Sequence, residues 1–155
     1  MTVFSSAIYQ LVFRTFSLLT CVLVVTFSQT GTAQSWTRET VLDAAFDVRA
    51  GNLDMSIFIR CGSNLEQSFI EIIVGQDSQP GIHVLRVDGG TPHQYLVPSN
   101  GYFVVEDAED RALFAALIAD LRRGFSLTVQ MPGGRIISGF SLTGSSAALA
   151  GCSSG

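Results

Sequence analysis

A short apolar run near the amino terminus decides where this chain must fold, and so which cross-links it can use. Phe16–Phe27 (FSLLTCVLVVTF) follows the positive Arg14, and no acidic residue occurs before Glu39. Gly31-Thr32-Ala33 has the small side chains of a cleavage site, so the sequence predicts a secretory signal over residues 1–33, removed before Gln34. A transmembrane helix needs about 20 apolar residues. This run is shorter and ends in polar Ser28–Thr32. Leu18-Leu19-Thr20-Cys21 has the outline of a lipoprotein box, but threonine is a poor residue there and the apolar run continues past the cysteine.

Export places residues 34–155 in an oxidising compartment, as one periplasmic or secreted domain with no membrane span. Cys21 leaves with the signal, so two of the three cysteines remain, Cys61 and Cys152. In that setting a cysteine pair is expected to form a disulfide rather than a catalytic or metal site. Closing so long a loop contributes roughly 4–5 kcal/mol in the chain-entropy model, before strain is subtracted. All thirteen acidic residues lie after the signal, there is no lysine, and the formal charge of −4 becomes one unit more negative when Arg14 is lost. An acidic, lysine-free surface argues against nucleic acid and against anionic lipid as partners.

Hydrophobic periodicity predicts the elements. Met55, Ile57, Ile59 and Cys61 alternate with Ser56, Phe58 and Arg60, the pattern of a half-buried strand. Phe125–Met131 alternates in the same way and puts Phe125, Leu127, Val129 and Met131 inward. After the turn Pro132-Gly133-Gly134, Arg135–Leu142 is the returning strand, with Ile136, Phe140 and Leu142 inward. Further strands are expected at Ser68–Val74, Ile82–Asp88, Gln94–Val97 and Tyr102–Glu106, and the Trp36–Val48 region is expected to start with a strand. A helix is expected over 107–123. Its apolar face is Leu113, Phe114, Leu117, Ile118 and Leu121, and Asp107 is its N-cap. Acids open it, Arg122 and Arg123 close it, and Gly124 occupies the position of a C′ glycine. A short helix at Ser145–Leu149 precedes Cys152. Strands gathered before one helix give an α+β fold with an antiparallel sheet or sandwich.

No motif of catalysis or cofactor binding stands out, and nothing calls for a cofactor or a metal. His83 and His93 have no cysteine or carboxylate at metal-ligand spacing and read as ordinary surface or strand histidines. Glu106, Asp107, Glu109 and Asp110 are explained by the helix start. Neither Gly89-Gly90 nor Gly133-Gly134 is followed by Lys-Ser or Lys-Thr, and hairpin turns account for both. Arg60 and Arg86 are the candidates for a partner contact. Each sits within a strand, where a guanidinium either meets an acidic partner or pairs with Asp88 or Glu71.

The chain resembles the small periplasmic accessory proteins of type VI secretion, the VasI/TagO-like family. The resemblance is carried by Trp36, by Met55-Ser-Ile-Phe-Ile-Arg-Cys61 followed by Gly62-Ser-Asn64, and by Val84-Leu-Arg-Val-Asp88. It continues through Phe125–Met131, Phe140-Ser-Leu-Thr-Gly144, Ala147–Leu149 and Cys152. The stretch Leu121–Leu149 is also similar to the invasion-associated locus B family of exported bacterial proteins. The first resemblance implies a Cys61–Cys152 bridge and a non-catalytic envelope accessory protein with a protein partner. The second implies a secreted or surface host-interaction factor. A small periplasmic hydrolase is the rival class, and a His or Ser sharing a pocket with a carboxylate would favour it.

Overall fold

The computed structural model describes residues 35–41, 45–51, 55–62, 68–75 and 78–152. The expected signal and the tail Ser153–Gly155 lie outside them. All described residues belong to one unit, Thr32–Gly155.

Among the described residues nine antiparallel strands form two sheets, and two α-helices accompany them. The first sheet has the order β1-β2-β3-β4-β7 and the second β6-β5-β8-β9. The first is built from β1 (Thr37–Thr40), β2 (Phe46–Gly51), β3 (Met55–Cys61), β4 (Phe69–Val74) and β7 (Tyr102–Val104). The second is built from β5 (Gly81–Val87), β6 (His93–Val97), β8 (Ser126–Gln130) and β9 (Ile136–Ser141). Helix α1 (Ala108–Arg123) links the two sheets, and α2 (Ser145–Ala148) follows β9. This is the expected α+β architecture. The Trp36–Val48 region contains one strand and opens a second, because Phe46, Val48 and Ala50 continue the inward alternation.

Both sheets turn one face to a single core. Ile57, Ile59, Ile70 and Ile72 meet Leu85, Val87, Leu127 and Val129 there, with Phe114, Leu117, Ile118 and Leu121 of α1. The helix begins as its sequence implies: the Asp107 carboxylate accepts the N–H groups of Glu109 and Asp110, at 2.8 and 2.9 Å. These bonds satisfy two donors that the helix itself leaves unpaired. Its C-terminus differs from the expectation. Gly124 is extended (φ −83°, ψ 172°), not left-handed. A Cβ there would sit 2.1 Å from Val87 Cγ1, so close approach of the helix end to β5 is what requires glycine.

Two side chains expected inside lie outside. Phe125 is 83% exposed because β8 starts only at Ser126, and the Phe125 N–H is spent on the Asp88 carboxylate. Ile136 is 63% exposed because the β8–β9 ladder shifts register between Leu127 and Val129. Leu127 pairs with Phe140, while Val129 pairs with Ile137. One extra residue on β9 therefore exchanges the faces of its two ends, with Gly139 (φ +77°) at the irregularity. Phe140 and Leu142 remain inside as expected.

Cys61 ends β3 and Cys152 follows α2. They are bonded across 91 residues with their Cα atoms 5.3 Å apart. The bridge ties the end of the chain to the middle of the first sheet. Trp36 makes a second long-range tie: its ring meets Phe140 edge-on at 6.2 Å and its Nε1–H donates to the Ser141 carbonyl.

Candidate partner-binding face

The two candidate arginines lie on different sheets. Arg60 is on the outer face of the first, directly across from Asp47 on β2. Its Nε and Nη2 donate to both Asp47 oxygens, at 2.8 and 2.9 Å. Asp47 is itself buried. Arg60 also lies over the Phe69 ring, 5.0 Å from its centroid. This guanidinium is committed to its own sheet, and neither Asp88 nor Glu71 is its partner.

Arg86 is exposed on the outer face of the second sheet. Its Nη1 donates to the Gly90 carbonyl at 3.3 Å, and among the described residues no carboxylate pairs with it. Asp88 is not free to do so. Its carboxylate accepts the N–H groups of Ser126 and Phe125 and the Ser126 hydroxyl. Those bonds hold the Asp88 carboxyl below its ordinary range.

Around Arg86 the strand residues of this face carry no acid at all. Ile82 and Leu96 are cross-strand partners and are 55% and 68% exposed. Val84 stands beside Gln94 on one side and Gln130 on the other, and Gln130 pairs with exposed Ile136. The result is an apolar surface with one guanidinium and two amides, on a chain that is otherwise acidic. Sequence reading found Arg86 but missed the apolar part. Ile82 and Leu96 looked like ordinary strand residues, and the bulge that turns Ile136 outward has no signature except Gly139.

The histidines are both buried. His93 Nε2 lies 2.9 Å from Asp120 Oδ2, and Arg123 Nη2 approaches the other Asp120 oxygen at 3.3 Å. Sequence reading missed this link, which joins β6 to α1 across 27 residues. Asp120 also lines an open groove of about 320 Å³ with Asp88, Thr91 and Arg123. His93 is not among the residues lining it and is 6% exposed, so this imidazole braces α1 against the sheet from beneath. His83 is fully buried. Its Nδ1 is 3.2 Å from the Gly81 carbonyl, its Nε2 has no partner, and burial depresses its pKa. Among the described residues there is no cluster of three metal-ligating side chains, and no helix is long and apolar enough to cross a membrane.

No family model, curated protein or solved structure matches the chain.

Proposed function

We propose that this is a non-catalytic accessory protein of the bacterial cell envelope, periplasmic or secreted, that binds an acidic protein partner through the outer face of its second sheet. The observation that carries the reading is the exposed apolar strand surface of Ile82 and Leu96 beside Arg86, where the one adjoining carboxylate, Asp88, is engaged by Phe125 and Ser126. Exposed apolar side chains grouped on a rigid sheet supply contact area. An arginine without a carboxylate of its own supplies a fixed fork of donors for one on the partner. The resemblance to secretion accessory proteins supports the same class. Arg60 contributes by keeping the first sheet rigid rather than by direct contact.

The test is photo-cross-linking in the native envelope, with a benzophenone side chain introduced at Leu96 or, as a control, at Thr143. The reading expects one dominant adduct from position 96. Its cross-linked segment should be rich in Asp or Glu, and Arg86→Glu should reduce its yield at least several-fold. Equal adducts from both positions, or a yield indifferent to Arg86→Glu, would overturn it.

A further inference from the structure

The outer face of the first sheet has a charge pattern that is the complement of itself. Arg49, Phe58 and Glu71 occupy one row across β2, β3 and β4, in direct register. Arg49 lies over the Phe58 ring at 4.6 Å, which fixes its position, and no carboxylate pairs with it among the described residues. Glu71 pairs with no described cation. By the ordinary spacing of strands, the backbones of Arg49 and Glu71 are separated by roughly 9–10 Å. Phe58 lies between them; its ring stacks on Phe69 of the neighbouring row at 5.3 Å, and Phe69 meets Tyr102, on the far side of Glu71, at the same distance. The row therefore carries a cation on one side of Phe58 and an anion on the other, beside packed aromatic rings.

From this arrangement we infer that the occupant of this face is a second copy of the chain, docked sheet to sheet about a two-fold axis. The axis lies in the interface, parallel to β3 and above Phe58. Rotation about it exchanges β2 with β4, so each Arg49 meets the other copy's Glu71 and Phe58 meets itself. The neighbouring rows agree. Gly51 pairs with Ser56 and Ser56 with Ile73, so the rotation lays each Ile73 over a glycine, a projection against a recess. Thr37 and Tyr102 end the Arg49 row, and they exchange places as hydroxyl opposite hydroxyl. Arg60 meets its own copy on the axis, but each is held to Asp47 and adds no net charge there. An axis running across the strands would instead set Arg49 against Arg49. The pattern thus selects one of the two aligned arrangements. It uses the same patch on both copies, as a two-fold interface must. Aligned stacking of two sheets is an ordinary packing mode. The partner-binding face lies on the other sheet, and the inference does not depend on it.

The test is sedimentation equilibrium on the disulfide-bonded protein recovered from an exporting host. Four samples are compared: wild type, Arg49→Glu, Glu71→Arg, and an equimolar mixture of the two variants. Both positions face outward, and circular dichroism of each variant establishes that it is folded. The wild type should sediment at twice the chain mass. Each variant alone should sediment at the chain mass, because both of its cross-copy pairs become like-charged. The mixture should recover the double mass, because both pairs become opposite again. A monomeric wild type, dimeric single variants, or a mixture that stays monomeric would each overturn the inference.

Discussion

Gly124→Ala separates two explanations of the same residue. If the position needed glycine for a left-handed backbone, alanine would be strained by its dihedral angles. Its φ of −83° is instead one that alanine adopts freely. With open space around it, the substitution would stabilise the protein by about 0.4–1 kcal/mol, because alanine has less freedom to lose on folding. The space is not open. The new methyl would lie 2.1 Å from Val87 Cγ1, 3.1 Å from Leu142 Cδ1 and 3.2 Å from the Asp120 carbonyl oxygen. Val87 belongs to a strand paired on both sides, and it cannot withdraw without disturbing β5. Overpacking of this kind costs about 1–3 kcal/mol, so the net effect is a loss of roughly 1–2 kcal/mol. Removing the obstacle reverses the sign of part of that cost. In a Val87→Ala background, Gly124→Ala should be nearly neutral, giving a coupling of about 1–2 kcal/mol between the two sites. Urea unfolding of the oxidised wild type, both single variants and the double variant measures all four terms. Additive losses would refute the close-approach explanation, as would a stabilising Gly124→Ala in the wild-type background.

Burial holds His83 below the ordinary histidine pKa, so the unfolded chain takes up a proton there more readily than the folded one. Stability should therefore be lost as pH falls through about 6.5 towards the depressed value, with a limiting slope near 1.4 kcal/mol per pH unit from this group. In His83→Leu that part of the slope should vanish, which urea midpoints at pH 7.5 and 5.5 would detect; identical slopes would contradict the assignment. Leu117 is fully buried between α1 and the sheets, and Leu117→Ala should cost about 2–5 kcal/mol by thermal or urea unfolding. Mass spectrometry of non-reduced native protein should find Cys61 joined to Cys152 and no alkylatable thiol in the mature chain.

Most strand positions, the helix and the disulfide were legible because each leaves a local or compositional trace. Period-two alternation gives β3, β5 and β8, and the caps and charges of α1 agree with its apolar stripe. What escaped was long-range. Nothing near His93 announces Asp120, and nothing near Arg60 announces Asp47, because both links form only when separate elements pack. The bulge in β9 breaks the rule that alternation fixes the face, so the sequence pattern places Ile136 inward where the structure exposes it. The sequence places Gly124 as a C′ glycine, but its backbone is extended and what requires glycine is close approach to Val87, which cannot be seen along the chain. For the candidate site, Arg86 was legible as a charge inside an apolar strand. The apolar neighbours that make it a face required the register of four strands.

Central to the proposed function is recognition of acidic protein segments by the outer face of the second sheet. Heteronuclear NMR of the disulfide-bonded protein, titrated with an alternating glutamate–leucine peptide and separately with a lysine–leucine peptide, tests it directly. The account predicts shifts from the acidic peptide only, concentrated on β5, β6 and the start of β9, weakened by salt and abolished by Arg86→Glu. Equal shifts from both peptides, shifts confined to the first sheet, or none at all would contradict it.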